Sequence, residues 1–180
     1  DAHWLPSSLR DRHARGAGPL RPLLLGTTAD EAALFVHAAR TPASNEALAT
    51  LHPGIRIDAE RTPAENLARW VQCDGFERPV EALAHGAARA GARVLMYRWE
   101  GTGQPMSTWR GSEVGLLLRE GPSPNEAAAL LDAWSAFVRG ESPELQTGPW
   151  PPFTPEDRAL ASFGVGARAA TLARDCEAAR

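Results

Sequence analysis

The sequence contains no lysine, so arginine supplies all 19 basic residues. They are set against 22 acidic residues, which gives a formal net charge of -3. A chain with this balance has no basic stripe that could release counterions from a nucleic acid backbone, so we expect no nucleic acid partner. The absence of lysine resembles the outcome of a GC-rich coding sequence and indicates no activity by itself.

Long hydrophobic runs and cysteines are also scarce. The longest apolar stretches, such as Leu23 to Leu25, fall far short of the roughly 20 residues that cross a bilayer, which excludes a membrane-spanning chain. Cys73 and Cys176 are too few for a disulfide-stapled scaffold, and they lack Cys-x-x-Cys spacing. No two histidines stand four residues apart beside a glutamate, so we expect no metal site and no cofactor.

The length and composition are those of an ordinary globular chain. With 180 residues, 43% of them hydrophobic, it can bury a sizeable core, and we expect a single domain over residues 1–180. The first residue is Asp1 rather than Met, so we expect a chain cut from something longer. No signal-peptide pattern follows Asp1. The location is unknown from the sequence, with the cytoplasm slightly favoured.

Proline and glycine divide the chain into alternating strand and helix patterns. Leu23 to Leu25, closed by Gly26, predicts a strand near 22–26, and the apolar run from Val94 to Trp99 predicts another near 93–99. Because parallel strands need long crossovers, two strands separated by helical segments predict a parallel α/β fold.

Capping signals predict the helices. One follows a capping box of Thr28 and Glu31, one follows the box Thr62 to Glu65, and two more span 79–91 and 123–138. In the last of these, the apolar stripe from Leu130 to Val138 should face the core, with Ser123 as the N-cap. A short helix is expected from Thr154, and another in the alanine-rich tail over 166–180.

Three stretches carry motifs of one known family, in the same order. The first is the strand, glycine and acidic turn PLLLGTTADEA of residues 22–32, and the second joins DGFERP of residues 74–79 to the strand near 93–99. The third leads from Trp134, Phe137 and Gly140 to WPPFT, residues 150–154. Together they resemble the C-terminal part of the type B carboxylesterases, the cholinesterase-like branch of the α/β-hydrolases. The resemblance implies the C-terminal part of that fold, and ester hydrolysis by a serine, a histidine and an acidic residue.

The resemblance places Glu31 at the acid position, where its carboxylate would orient the imidazole. The alternative is that Glu31 only completes the capping box of Thr28. The histidine position differs, because the segment Trp109-Arg110-Gly111-Ser112-Glu113 has Arg110 in its place. A guanidinium stays protonated and cannot take a proton from a serine at neutral pH.

The other parts of the triad are missing from the sequence. No Gly-x-Ser-x-Gly elbow occurs in it, and no glycine-rich oxyanion segment precedes Glu31. His85 is followed by Gly86 but falls inside a predicted helix, where a surface histidine is expected. The other histidines have no acid partner at a suggestive spacing; they are His3, His13, His37 and His52.

The resemblance also bears on the cysteines. Cys176 matches a cysteine of the secreted cholinesterases whose usual partner would stand at Arg78, so Cys73 is displaced along the chain. A Cys73–Cys176 disulfide is possible, while a reduced pair is the default expectation.

These observations favour a carboxylesterase-related protein or fragment that is inactive alone, so its enzymatic status is uncertain. One alternative is the C-terminal piece of a carboxylic ester hydrolase that another segment completes; a second is a non-catalytic cholinesterase-like binding module. In the implied fold the strand near 22–26 would leave an apolar edge open. We therefore expect a homodimer or a complex with an N-terminal esterase segment.

Overall fold

A computed structural model describes residues 21–38, 41–118, 125–164, 166–171 and Cys176. The strands are β1 (Leu23–Thr28), β2 (Val94–Trp99), β3 (Glu144–Leu145), β4 (Gly148–Pro149), β5 (Ala159–Gly164) and β6 (Gly166–Thr171). The α-helices are α1 (Ala33–Ala38), α2 (Asn45–Leu51), α3 (Pro63–Trp70), α4 (Arg78–Arg89), α5 (Ser112–Leu117) and α6 (Asn125–Val138). A π-helical segment, Val71–Glu77, joins α3 to α4.

The main sheet has the strand order β1-β2-β5-β6. β1 and β2 are parallel neighbours, with Leu23 opposite Val94 and Thr28 opposite Trp99. The predicted parallel pair is therefore confirmed, with strand ends shifted by one or two residues. β5 adds a third parallel strand, and β6 returns antiparallel to it, which makes the sheet mixed.

The core lies on both faces of this sheet, because alternate side chains of β2 point to opposite sides. On one face Leu95, Tyr97 and Trp99 belong to a cluster that includes Leu130 of α6. On the other face Val94 and Met96 belong to a cluster that includes side chains of α4. The sheet is thus enclosed by α4 and α6, as a parallel sheet requires.

Gly26 lets β1 pack tightly against β2. A Cβ at this position would overlap the ring of Tyr97, its partner in the register. We expect Gly26→Ala to lower the free energy of unfolding by about 1–3 kcal/mol, because the buried ring must shift. Urea denaturation followed by circular dichroism measures the change.

Gly115→Ala is the matched control for this substitution. Gly115 lies in α5, where a Cβ would meet nothing within 4 Å. It should be neutral or stabilise the protein by up to about 1 kcal/mol, because alanine favours the helix. A Gly26→Ala variant as stable as the wild type would contradict the packing described.

The capping signals differ in their outcome. At α3 the box is complete: the Thr62 hydroxyl accepts from Glu65 N, and the Glu65 carboxylate accepts from Thr62 N. At α1 only half of the box forms. Glu31 Oε1 accepts from Thr28 N at 2.7 Å, but the helix begins later, at Ala33. There Asp30 Oδ1 accepts from the Ala33 N–H and takes the place of a Thr28 hydroxyl cap.

Two predicted helices near the end of the chain are wrong. Thr154 begins a turn rather than a helix: its hydroxyl accepts from Asp157 N, and Arg158 then takes a positive φ of 50° that ends the turn. In the alanine-rich tail, Gly166 to Thr171 form strand β6, paired with β5, while the rest of the predicted helix, apart from Cys176, lies outside the described residues. Cross-strand pairing outweighs the helical preference of alanine there.

The helix predicted over 123–138 is confirmed as α6 from Asn125, while the predicted cap at Ser123 lies outside the described residues. Its apolar stripe only partly faces the core. Leu130 is fully buried, but Val138 is 79% exposed. Val138, Leu131 and Trp134 instead line a surface groove of about 440 Å³ beside α5.

Cys73 and Cys176 form a disulfide, so the default expectation of a reduced pair is wrong. The bond joins the π-helical segment to Cys176, and the Arg78 guanidinium donates to the Cys176 carbonyl. Disulfides persist mainly in oxidising compartments, so this bond weighs against the cytoplasmic placement, which stays a prediction.

The helices of the described residues are too short or too polar for a membrane span.

Candidate functional site

The carboxylate of Glu31 lies in the turn that follows β1. The residue is 6% exposed, and its Oε1 accepts from Thr28 N at 2.7 Å. Because β1 is parallel to β2, this turn is at the carboxyl edge of the sheet, where α/β folds place their sites. Sequence reasoning placed Glu31 at the end of the first strand, and the structure agrees with that location.

Gln72, in the π-helical segment, holds this turn in place. Its Oε1 accepts from Glu31 N at 2.8 Å, and its Nε2 donates to the Thr28 carbonyl at 3.3 Å. The same Nε2 lies 2.9 Å from Glu77 Oε1. One amide side chain therefore fixes both ends of the Thr28 to Glu31 turn and connects it to a second buried carboxylate.

Arg110 reaches Glu31 from the loop after β2. That loop returns to the sheet edge through a parallel bridge between Asp30 and Trp109. Arg110 Nε then lies 4.0 Å from Glu31 Oε2, while its side chain is 55% exposed. The guanidinium carbon is 5.8 Å from the ring centre of Phe35 and 5.4 Å from that of Phe76, so cation–π attraction also holds it.

A third buried carboxylate, Glu113 at the start of α5, lies near the same edge. Glu113 Oε1 is 3.4 Å from the hydroxyl of Tyr97, and Glu113 Oε2 has no hydrogen-bond partner among the described residues. Tyr97 belongs to β2 and contacts the ring of Trp134 edge-on, with centroids 5.8 Å apart. The site therefore combines the carboxyl groups of Glu31 and Glu113 with a phenol and one guanidinium, and Gln72 connects it to Glu77.

Burial dominates the electrostatics of these groups. It raises the pKa of Glu31, and the charge of Glu113 adds to the shift, while the Thr28 N–H and the Arg110 charge oppose it. Burial likewise raises the pKa of Glu113, against hydrogen bonds that favour its ionised form, and burial also raises the pKa of Tyr97. Both carboxyl groups therefore hold a proton to a higher pH than exposed glutamates do.

The raised pKa of Glu113 predicts that ionisation of this carboxyl group lowers the free energy of unfolding as pH rises. The folded state binds more protons than the unfolded state above the unfolded glutamate pKa, about 4.3, so stability falls as pH rises through the folded pKa. We expect Glu113→Gln to raise the free energy of unfolding at pH 7 and to have little effect near pH 3.5. Urea denaturation across that range measures the difference.

Glu144→Gln is the control, because Glu144 is exposed on β3. It should leave the pH dependence of stability unchanged. A Glu113→Gln variant that is less stable than the wild type at pH 7 would contradict the prediction that the buried Glu113 carboxylate lowers the free energy of unfolding.

The histidines do not supply a base to Glu31. Among the described residues, no histidine forms a hydrogen bond or ion pair with its carboxylate. His85 lies in α4, as predicted, 3.3 Å from Glu81. His37 packs against Trp109 and His52 against Trp70, while His3 and His13 are outside the described residues.

Two contributors escaped sequence reasoning. Gln72 is 41 residues from Glu31 and belongs to no motif, so nothing in the sequence connects the two. Tyr97 was assigned only to a strand; its position in β2 beside Glu113 of α5 is seen only in the structure. The pairing of Glu31 with Arg110, which the resemblance places at two triad positions, does appear in the structure.

Comparison with known proteins identifies the architecture. No protein-family model and no curated protein matches the chain. Among solved structures, a PNB esterase is similar over 92% of this chain and 39% of its own, with a TM-score of 0.73 and 23% identity. Carboxylesterase EST55 of Geobacillus stearothermophilus is similar over 100% of this chain and 43% of its own, with a TM-score of 0.75 and 21% identity.

A thermophilic PNB esterase gives the same result, with a TM-score of 0.65 over 92% of this chain and 39% of its own, at 22% identity. At these identities the similarity establishes the fold. The chain spans about two fifths of the length of these esterases. Its mixed sheet and enclosing helices form a partial α/β fold similar to part of the fold of these esterases.

Proposed function

We propose that the chain is the acid-bearing C-terminal part of a carboxylesterase fold and that it does not hydrolyse esters by itself. The observation that carries the proposal is the contact of Arg110 with Glu31. In a triad the acid accepts a hydrogen bond from an imidazole, which then takes the proton of the serine. Here a permanently charged guanidinium lies beside that carboxylate, 4.0 Å away.

The chemistry of Arg110 supports inactivity for two reasons. Its protonated form accepts no proton at neutral pH, so it cannot serve as a general base. Its guanidinium carbon also lies 5.8 Å and 5.4 Å from the ring centres of Phe35 and Phe76, and these contacts hold it beside Glu31. No Gly-x-Ser-x-Gly elbow is present in the sequence to supply an activated nucleophile.

Hydrolysis of p-nitrophenyl acetate by the purified chain tests this proposal. We expect release of p-nitrophenol at the rate of buffer containing an unrelated protein. Glu31→Gln, measured beside the wild type, should give the same rate, and Glu144→Gln controls for exposed carboxylates. Saturable turnover that Glu31→Gln abolishes would contradict the proposal and show a working acid.

A specific observation favours one further candidate: the chain is completed by an upstream esterase segment. Among the described residues β1 pairs with β2 on one side only, and its leucines are half-buried. The groove beside α6 is lined by exposed apolar side chains, with Leu118 and Val138 each 79% exposed. Since the similar esterases are more than twice as long, we propose that such a segment covers both surfaces.

The DNA upstream of the Asp1 codon tests this candidate. We expect an elbow of the form Gly-x-Ser-x-Gly encoded there, in frame for a split or truncated enzyme and out of frame for a decayed gene. An upstream region without an elbow in any frame would contradict it.

A second copy of this chain is the competing occupant of the groove. Sedimentation of the chain alone at micromolar concentration tests it. A discrete dimer that Val138→Glu dissociates would assign the groove to a second copy instead of an upstream segment.

A further inference from the structure

A cluster of sulfur and oxygen ligands lies apart from the Glu31 turn, where the π-helical segment meets Cys176. The sulfurs of Cys73 and Cys176 and a carboxylate oxygen of Glu77 all lie within 4.8 Å of one another. All three residues are buried. Cys73 and Glu77 stand four residues apart on one helical segment, and Cys176 reaches them from 103 residues beyond Cys73.

The contact between Cys176 and Glu77 is not an ordinary hydrogen bond while the disulfide is intact. Cys176 Sγ lies 2.8 Å from Glu77 Oε2. A disulfide sulfur has no proton to donate, and an ionised carboxylate only accepts. The same contact becomes favourable when the cysteine is a thiol that donates to Glu77, or when both atoms bind one metal ion.

The second carboxylate oxygen is already used, which leaves Oε2 available as a single ligand. Glu77 Oε1 lies 2.9 Å from Gln72 Nε2 and 3.5 Å from a guanidinium nitrogen of Arg98. Arg78 donates to the Cys176 carbonyl and fixes that residue from the other side. Such outer partners orient the ligands of a metal site and offset their negative charge.

We propose that the protein with reduced cysteines binds one Zn²⁺ ion through Cys73 Sγ, Cys176 Sγ and Glu77 Oε2. Two thiolates and a carboxylate are ligands that Zn²⁺ accepts, with solvent completing a tetrahedron. Two ligands of one tetrahedral Zn²⁺ are separated by roughly 3.5 to 4 Å, so the two sulfurs have to move apart once the disulfide is reduced. The sequence did not indicate this site, because its ligands lack Cys-x-x-Cys spacing.

The chemistry of loading balances in two steps. A phosphine reductant gives two electrons to the disulfide and is oxidised to its oxide, with the oxygen coming from water. The two protons of that water molecule go to the sulfurs, which become thiols. Zn²⁺ then displaces both thiol protons to solvent as two Zn–S bonds form. The disulfide and the metal-bound state are therefore alternatives, and the reducing power of the compartment selects between them.

Titration of the purified chain with Co²⁺, a spectroscopic substitute for Zn²⁺, tests the proposal. After phosphine reduction we expect one equivalent of Co²⁺ to bind with a thiolate-to-metal charge-transfer band, which Zn²⁺ abolishes by displacement. The oxidised chain should show no such band. Glu77→Gln should weaken binding about tenfold or more, and Cys73→Ser should remove most of the band.

Glu141→Gln is the matched control, because Glu141 is an exposed carboxylate paired with Arg139. It should bind Co²⁺ like the wild type. Far-ultraviolet circular dichroism accompanies each titration, so that loss of folding on reduction is seen; in that case Zn²⁺ should restore the helical signal at one equivalent. Three results would overturn the site. The reduced chain could fail both to bind Co²⁺ and to regain its helical signal with Zn²⁺; Co²⁺ could bind without the thiolate band; or Glu77→Gln could bind Co²⁺ with unchanged affinity.

Discussion

Phe163→Ala is expected to lower the free energy of unfolding by about 3–5 kcal/mol, the usual cost of removing a buried aromatic ring. Phe163 is 1% exposed on β5, at the centre of the larger core cluster. Its ring lies 5.3 Å from that of Trp150 and 6.4 Å from that of Tyr97, both in edge-on geometry. The substitution therefore opens a cavity and removes two aromatic contacts.

Urea denaturation followed by tryptophan fluorescence and circular dichroism measures the loss. Leu118→Ala is the control, because Leu118 is 79% exposed and its truncation should cost less than about 0.5 kcal/mol. Equal effects of the two substitutions would mean that β5 is not part of the core. That result would remove the third parallel strand from the fold.

Removal of the disulfide is the second large effect. The bond closes a loop with a sequence separation of 103 residues, and chain-entropy arguments give a loss of about 2–5 kcal/mol when such a loop is opened. We expect this loss for the double variant Cys73→Ala with Cys176→Ala. Urea denaturation of the double variant beside the oxidised wild type measures it.

The reduced wild type, denatured with a metal chelator present, is the control for this experiment. It should lose a similar amount, since both samples lack the cross-link, while the double variant also loses the small buried volume of two sulfurs. A loss below about 1 kcal/mol in both samples would show that Cys176 contributes little to the stability of the fold.

The sequence predicts the parts of the fold whose signals are local. The β1–β2 pair follows from two apolar runs separated by helices, and the α3 cap follows from four consecutive residues, Thr62 to Glu65. The β5–β6 pair could not be predicted in this way. Gly166 to Thr171 is alanine-rich, and its strand form depends on hydrogen bonds to a neighbouring strand.

The residues of the site also differ in whether a sequence motif marks them. Glu31 and Arg110 were identifiable because motif positions mark them, and the loop bridge at Asp30 then brings them together. Gln72 and Glu77 carry no motif, and their roles arise from the π-helical segment that turns them toward β1 and Cys176. Contacts between residues far apart in the chain are set by tertiary packing, which no spacing rule describes.

We propose that this chain holds the acid of a carboxylesterase fold without an activated serine. Labelling with a fluorophosphonate probe tests it most directly, because such probes react with serines that a histidine and an acid activate. We expect mass spectrometry to find no labelled serine in the purified chain. One equivalent of label on a single serine, lost in Glu31→Gln, would contradict it.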